Sequence, residues 1–457
     1  MEKTVIMTEG TPWKKILAFS VPILLGNLFQ QFYTTVDTWM VGVFVSQDAL
    51  SAVGTVSVLT YLCLAFAVGF SAGAGVIVSR LFGAKDHQHL TQTAWNSLVL
   101  LVGIGVLVTG AALLWSRFLL QSLVNVPESI LDEAELYFRV VTLGFLFEFV
   151  YNGIAALLRA IGDSRAMLYF LILSCLGNVA GDYLFIVPLQ MGVAGAAWST
   201  VLSQLACCVV SYLYMHRKYE MFRFDPTKQK IRRAELREIV KQGGPLALQT
   251  MIGTFYNLFM QRLVNSFGDA MTASYTVVSR VEAYIQLPTS TLTTTLATYS
   301  AQNKGAGKAH RIREGLITGI ALSVGLTLLL SAAGFFFADQ IAAFFKISGL
   351  AAEYCVTNIH TYAFAMLSFA AYFPATGYYQ GNGKAYLSAI SSVAYLCLSL
   401  LIGYAFRSVI GVRVLYISKP ITWVVIGILN FMYLLLGPTH LNAGGAWRQE
   451  NGAEHEL

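Results

Sequence analysis

Residues 21–42, VPILLGNLFQQFYTTVDTWMVG, decide the fold class. These 22 residues carry a single charged side chain, Asp37, and are otherwise apolar or uncharged. About 20 predominantly apolar residues are enough for an α-helix to cross the hydrocarbon core of a bilayer. The stretch therefore predicts a transmembrane helix with a carboxylate inside it. Because Pro22 removes a backbone hydrogen bond, we also predict a kink near the start of this helix.

Apolar runs of this length recur along the whole chain. Of its 457 residues, 56% are hydrophobic and 12% are charged, against roughly 25% charged in a soluble domain. We therefore predict an all-α membrane protein with twelve transmembrane helices and no separate soluble domain. The approximate spans are 13–40, 51–80, 91–114, 132–160, 165–187, 193–216, 236–266, 271–302, 311–337, 352–380, 385–406 and 413–437.

Lysine and arginine collect in alternate connections between these helices, as the positive-inside rule requires. The basic side includes HRKYEMFRFDPTKQKIRR at 216–233, whereas the opposite side holds the acidic stretch 128–135. Both termini are therefore predicted to be cytoplasmic, in a multi-pass protein of a bacterial inner membrane. Arg117, Arg407 and Arg413 are local exceptions. Topology accounts for the net charge of +6, so we expect no nucleic-acid partner.

The two halves of the chain resemble each other. FYTTVDTWMVG from Phe32 aligns with FYNLFMQRLVN from Phe255, and AIGDSRAMLY from Ala160 aligns with YQGNGKAYLS from Tyr379. The offset is roughly 220 residues, as an internal duplication predicts. Six helices in each copy is an even number, so both copies enter from the cytoplasm. We predict two six-helix lobes related by a pseudo-two-fold axis along the membrane normal. The predicted divisions are an N-terminal lobe 1–217, a cytoplasmic linker 218–233, a C-terminal lobe 234–437 and a polar cytoplasmic tail 438–457.

Four oxygen-bearing side chains of the first lobe are predicted to lie at one depth in the outer half of the membrane: Asp37, Asn178, Asp182 and Thr200. Ionisable residues inside a membrane are costly and mark functional sites. Asn178 and Asp182 stand at i and i+4, so they share a helical face. The set suits either a hard cation with oxygen ligands or a carboxylate pair that shares a proton. The alternative role of these side chains is interhelical hydrogen bonding, and this alternative applies most to Thr200. Glu148, in the predicted fourth helix, is a further intramembrane carboxylate.

The second lobe lacks this acidic set. It carries Arg280 and Glu282 in the predicted eighth helix and Lys419, followed by Pro420, in the twelfth. Glu282 and Lys419 are predicted at similar depth, and we expect them to pair. The pair is either a structural ion pair that holds the lobe together or a contact for the substrate.

Several motifs together resemble the MATE (multidrug and toxic compound extrusion) family. The runs VPILLGNLFQQFYTTVDTWMVG, ALSAVGTVS and SRLFGAKD are similar to its helices 1 to 3, and LRAIGDSR, GNVAGDYLFI and GVAGAAWSTVLSQ to its helices 4 to 6. The similarity spans nearly the whole chain and is weaker in the second half. The DinF-like branch of the family implies a cation-coupling role for Asp37, Asn178, Asp182 and Thr200 and a bending role for Pro22.

The sequence departs from the NorM-like branch of the same family, which has acidic coupling residues in the C-terminal lobe. Gln249 stands near where that branch has a glutamate, so we do not expect coupling in that lobe. The wider set of candidates for a substrate cavity or an ion pair is Tyr33, Gln249, Tyr256, Arg280, Glu282 and Lys419.

The resemblance implies a secondary active exporter that extrudes amphipathic, often cationic, drug-like compounds in exchange for protons or sodium ions. We expect a monomer surrounded by membrane lipids. The alternative function is a flippase for lipids or lipid-linked oligosaccharides of the same superfamily. A membrane enzyme is the third interpretation, and against it the predicted helices show no His/Asp/Ser constellation, metal-ligand spacing or phosphate loop. We expect no enzyme activity, no cofactor besides Na+ or H+ as coupling ion, and no metal besides Na+ at the four-residue site.

Overall fold

The computed structural model describes residues 4–225 and 227–436, and within this part of the chain every long element is an α-helix. It contains twelve of them, so the all-α prediction and the predicted number are confirmed. The predicted tail 438–457 lies outside the described residues. We number the helices α1 Pro12–Phe44, α2 Gln47–Gly83, α3 His87–Leu114, α4 Glu128–Ala160, α5 Ser164–Ile186, α6 Gly192–Lys218, α7 Arg233–Asn265, α8 Asp269–Gly305, α9 Ala309–Phe336, α10 Leu350–Gly381, α11 Ala385–Ile410 and α12 Arg413–Leu436.

Many helices extend past the predicted apolar runs, because polar residues cap them beyond the hydrophobic stretch. At the start of α2, the Ser46 hydroxyl accepts a hydrogen bond from the backbone N–H of Ala49 at 2.9 Å. Hydrophobicity alone also missed the short elements. These are the helical turn Ser116–Leu119, the π-turn Leu120–Val124, the 3-10 turn Glu220–Phe222 and the helix Ala338–Phe344.

The fourth helix of each half is its packing centre. In the first half α4 packs against α2, α3 and α6, and in the second half α10 packs against α8, α9 and α12. Each helix in the second set lies six helices after its counterpart in the first. Phe138, Phe145 and Phe149 on α4 are completely buried, which is why this helix can occupy the centre. The duplicated sequence thus folds into two copies of one packing pattern.

The chain forms two compact units. Among the described residues, the first contains 4–6 and 17–254, and the second contains Met7–Ile16 and 255–436. Helices α1 and α7 therefore each contribute to both units. The predicted lobes 1–217 and 234–437 are defined by the internal repeat, and their limits stay a prediction.

Polar residues distinguish three of the helices. Within the described residues, α7, α8 and α10 are the long helices whose composition alone does not indicate a membrane span, whereas the other nine are apolar enough. The threonines of α8 are largely buried, and Thr289 exchanges hydrogen bonds with Ser323 at 3.1 Å and Thr327 at 3.2 Å on α9. Such hydroxyl contacts between helices let a polar helix pack inside a membrane bundle.

In the first unit, a line of glycines brings α2 and α7 into direct backbone contact. A Cβ at Gly69 would lie 2.1 Å from the backbone nitrogen of Ala247, and a Cβ at Gly73 would lie 2.5 Å from Cα of Gly243. These distances exclude any side chain larger than hydrogen. We call Gly69, Gly73 and Gly243 the glycine seam.

The turn between α4 and α5 is built around Asp163. Its Oδ2 accepts hydrogen bonds from the hydroxyls of Tyr219 at 2.6 Å and Tyr214 at 2.8 Å, and from the Lys218 ammonium at 3.2 Å. Burial by itself would raise the pKa of Asp163, but these donors and the lysine charge together hold that pKa below its ordinary value. Gly162 supplies the positive φ of +93° that the turn requires.

The described residues of the predicted linker 218–233 belong to the first unit and pack against α3. Phe222 is completely buried, and the ring of Phe224 lies 5.7 Å from that of Trp95 on α3. The backbone N–H of Arg232 donates to the side-chain oxygen of Asn96 at 2.9 Å. These contacts tie the segment to the start of α3.

Candidate functional site

Three of the four residues predicted in the first lobe lie on α5 and α6, where Asn178 and Thr200 are in contact. The Asn178 amide nitrogen donates to the hydroxyl of Thr200 at 3.4 Å and to that of Ser199 at 3.2 Å. The Ser199 hydroxyl in turn donates to the backbone carbonyl of Asn178 at 2.7 Å. This exchange fixes the orientation of the amide, since both its donors face α6. The structure thus brings Asn178 and Thr200 together, with Asp182 one turn further along α5.

Gly181 permits this contact between α5 and α6. A Cβ at Gly181 would lie 2.7 Å from the Ser199 hydroxyl oxygen, so a larger residue would push the helices apart. The GNVAGDY run therefore places an amide and a carboxylate on one helical face, with a glycine between them that allows the neighbouring helix to approach.

Asp37, on α1, adjoins Asp182 closely enough for their carboxylates to act on each other. Asp37 is 8% exposed, whereas Asn178 and Asp182 are 1% and 0% exposed. Four buried oxygens in this cluster have no hydrogen-bond partner: Oδ1 of Asp37, Oδ1 of Asn178 and both Oδ atoms of Asp182. Buried acceptors without donors are costly and usually have a functional reason. We call Asp37, Asn178, Asp182 and Thr200 the oxygen cluster.

The chemistry of the oxygen cluster fits a small hard cation or a proton. Carboxylate and amide oxygens are the ligands that hard cations take. Two neighbouring carboxylates in a low-dielectric surrounding repel, and a cation or a shared proton relieves that repulsion.

A cavity of about 160 Å³ opens beside the cluster. Residues of α1, α2, α4, α5 and α6 line it, among them Asp37 and Thr200 of the cluster and the predicted Tyr33. At about 30 Å³ for each water, it has room for about five waters. The cavity therefore has room for a hydrated ion.

Glu148, from α4, lines the same cavity. Its Oε1 accepts a hydrogen bond from the Asn152 amide at 3.1 Å. The sequence marked Glu148 as an intramembrane carboxylate and gave it no place in the oxygen cluster. The structure adds it as a second acidic residue on the cavity wall, together with Asp37.

In the second unit, the Lys419 ammonium donates to Oε2 of Glu282 at 2.7 Å. The two side chains are 5% and 10% exposed, so the expected pair is present and buried. Tyr256, a candidate for the substrate cavity, lies beside the pair, with its ring centroid 5.6 Å from Nζ of Lys419. The structure thus joins three of the sequence candidates in one place.

The other candidates lie apart from these two groups. Arg280 is exposed and stands two residues from Glu282, on another face of α8. Gln249 is half-buried on the part of α7 that belongs to the first unit. Helix α1 continues through Pro22, whose bending role stays a prediction.

Sequence reasoning missed Ser199 and Gln204. Gln204 lines the cavity, and its side-chain oxygen is buried without a partner. It reaches the cavity across Gly144, where a Cβ would lie 2.2 Å from that oxygen. A glycine on a facing helix is the signal that could have identified both residues. Gly144 lies opposite Gln204, and Gly181 lies opposite Ser199.

Comparison with known proteins places these observations in a family. The MatE family model matches residues 22–184 and 245–405. The probable multidrug resistance protein YpnP of Bacillus subtilis is 32% identical over 306 residues, which are 67% of this chain and 68% of the relative. The probable multidrug resistance protein YoeA of the same organism is 26% identical over 345 residues, or 74% of each chain.

Among solved structures, a multidrug resistance MATE family transporter of the MOP superfamily in an outward-facing conformation matches with a TM-score of 0.89. The sequences are 23% identical, and the match covers 97% of this chain and 99% of that one. At this identity the likeness shows the fold. The predicted architecture of twelve transmembrane helices in two six-helix lobes is thereby confirmed.

Proposed function

This chain belongs to the MATE family, and from that premise we propose that it is a secondary active multidrug exporter driven by a small cation. The observation that supports the cation most directly is the oxygen cluster, whose four unpartnered oxygens are buried in the first unit. The relatives matched are named multidrug resistance proteins, which favours drug-like substrates over the lipids of a flippase.

The coupling ion is a second substrate of the exporter, and Asp37 and Asp182 are its charged ligands. Asn178 adds a neutral oxygen that its bonds to Ser199 and Thr200 hold in place. Neutral oxygens strengthen binding of a small ion without adding negative charge. With two carboxylates that act on each other, one Na+ or one proton lowers the repulsion within the cluster.

Ion binding drives export only if the oxygen cluster has different affinities in the two states of the transporter. When the cluster is empty, its buried oxygens are desolvated and have no hydrogen-bond partner. A conformation that opens the cluster to water relieves this cost, so the two states differ in their affinity for the ion. The part of α1 after Pro22, which carries Asp37, is the segment that transmits ion occupancy to the rest of the lobe. Drug release and ion entry then alternate in one cycle.

Dye efflux from everted membrane vesicles tests this proposal, with sodium and proton gradients imposed separately. We expect the parent to extrude dye under at least one gradient and Asp37→Asn to abolish that efflux. Asp48→Asn, which neutralises an exposed carboxylate at the start of α2, is the matched control and should pump normally. Parental efflux by Asp37→Asn at equal expression would overturn the cation site. Translocation of labelled lipid without dye efflux would favour the flippase.

We further propose that the protein is a monomer in the bacterial inner membrane with both termini in the cytoplasm. The alternation of basic and acidic connections supports this orientation. Cysteines introduced singly beside Asp269 and in 218–232 test it. Labelling from outside is expected at the first site, and protection there with labelling in the linker would reverse the orientation.

A further inference from the structure

The Lys419 ammonium lies inside a cage of aromatic rings. The ring centroids of Tyr256, Tyr275 and Tyr362 are 5.6, 5.5 and 5.6 Å from Nζ, and the Glu282 carboxylate is 2.7 Å away. Lys419 itself is 4% exposed. We call Tyr256, Tyr275, Tyr362 and Glu282 the tyrosine cage.

Three rings within 6 Å of one cation are more than an ion pair needs. Rings attract a cation through their negative faces, and clusters of such rings recognise free ammonium ligands in proteins. A buried ammonium also loses its hydration, so it requires several favourable neighbours to remain charged. The cage supplies one carboxylate and three ring faces, which is the composition of an ammonium-binding site.

The cage residues are held in place by contacts that do not involve Lys419. The Tyr362 hydroxyl donates to the backbone carbonyl of Leu415 at 3.2 Å, and the Tyr256 hydroxyl shares a hydrogen bond with Ser399 at 3.3 Å. The Gln286 amide donates to Oε1 of Glu282 at 2.8 Å, which leaves Oε2 for the ammonium. The hydroxyls of these two tyrosines therefore bond elsewhere, while their rings lie against the cation.

The internal repeat relates the position of Lys419 to the oxygen cluster of the first half. At the offset of the duplication, Lys419 aligns with Thr200, one of the four residues of the oxygen cluster. Asp37 and Asp182 align with Met260 and Leu401, so the second half has lost the carboxylates of that cluster. At the position where the first half has Thr200 of the oxygen cluster, the second half buries a cation that belongs to the chain.

We propose that the tyrosine cage is an alkylammonium-binding site whose ligand is the chain's own Lys419 side chain. A tethered ligand cannot dissociate, so this site stays loaded while the oxygen cluster exchanges its ion. That difference between the two halves rests on the proposed function, whereas binding of an ammonium ion by the cage does not.

Removing the tethered ligand exposes the site to a free one. Lys419→Ala deletes three methylenes and the ammonium, which together have the shape of n-propylammonium. We expect n-propylammonium chloride to raise the unfolding midpoint of purified Lys419→Ala by roughly 5–10 °C at about 100-fold above its Kd. Neither 1-propanol nor an equal concentration of NaCl should do so. Tyr275→Phe added to Lys419→Ala should keep the effect, and Tyr275→Leu should weaken it.

The matched control is Glu282→Gln combined with Lys419→Ala, which keeps the rings and lacks the carboxylate. Its midpoint should be little changed by n-propylammonium. An unchanged midpoint in Lys419→Ala, or an equal rise in the parent or in the control, would overturn the proposal. The same conclusion follows if Lys419→Ala cannot be recovered even with n-propylammonium present during growth and purification. A failure of ion-driven dye efflux in the parent would instead count against the proposed function and leave this binding result standing.

Discussion

Replacing Asp182 with asparagine is expected to make the protein more stable while it stops ion-driven transport. The side chain is completely buried, both of its oxygens lack partners, and it adjoins Asp37. An amide carries no charge and has two N–H donors, so Asp182→Asn would remove the repulsion with Asp37 and could donate a hydrogen bond to a neighbouring buried oxygen. The substitution therefore replaces a repulsive contact by an attractive one.

The size of the gain follows from the cost of leaving a buried acceptor unpaired, about 1–3 kcal/mol for each group. Relief of one such cost raises the unfolding midpoint by about 2–12 °C for a unit of about 150–250 residues. The coupling function is lost at the same time, because one of the two charged ligands of the ion is gone.

Thermal unfolding of the purified variant in sodium-free buffer at pH 8, together with dye efflux from everted vesicles, measures both effects. Asp163→Asn is the matched control. Its carboxylate accepts bonds from two tyrosines and a lysine, so the same chemical change should lower the midpoint. A midpoint of Asp182→Asn below that of the parent would refute the reasoning from unpartnered oxygens.

Three further predictions concern other carboxylates. Glu282→Gln and Lys419→Met should each cost about 3–5 kcal/mol by leaving one buried charge uncompensated, and the double variant should recover most of that loss in the same unfolding assay; strict additivity would argue against the contact. Because the pKa of Asp163 is lowered in the folded protein, its contribution to stability is present above the unfolded pKa of about 3.9 and is lost as the pH falls through the folded value. Unfolding midpoints measured from pH 6 to pH 3 should therefore fall less steeply in Asp163→Asn than in the parent. Glu148→Gln should raise the ion concentration for half-maximal efflux several-fold without changing the maximal rate, since it removes negative charge from the cavity wall that also holds Asp37; an unchanged ion dependence would remove Glu148 from the ion pathway.

The features that the sequence predicted best are those governed by hydrophobicity and depth. Apolar runs indicate nine of the twelve long helices of the described residues, and the alternation of basic connections gives the direction predicted for each one. Direction and distance from the helix start then give depth, which placed Asn178 beside Thr200 and Glu282 beside Lys419. The structure shows contacts of 3.4 Å and 2.7 Å for these two pairs.

The features that the sequence did not predict depend on which side of a helix meets its neighbour. Ser199 and Gln204 carry no charge and are common in helices, so their part in the site follows from the glycines opposite them. The polar composition of 218–233 indicated a linker, and composition does not reveal that the Arg232 amide finds Asn96. The rings around Lys419 come from three different helices, α7, α8 and α10, and no local pattern connects them.

The glycine seam has a consequence for the genetics of this protein. Any base change in the first two positions of a glycine codon gives a stop codon or a residue with a Cβ. At Gly69 and Gly73 that Cβ would lie 2.1 Å and 2.5 Å from the backbone of α7. Backbone atoms cannot move aside as the end of a flexible side chain can. Missense alleles at these two codons are therefore expected to be loss-of-function alleles, whichever residue they encode. In populations under drug selection, both codons should vary only at their silent third position.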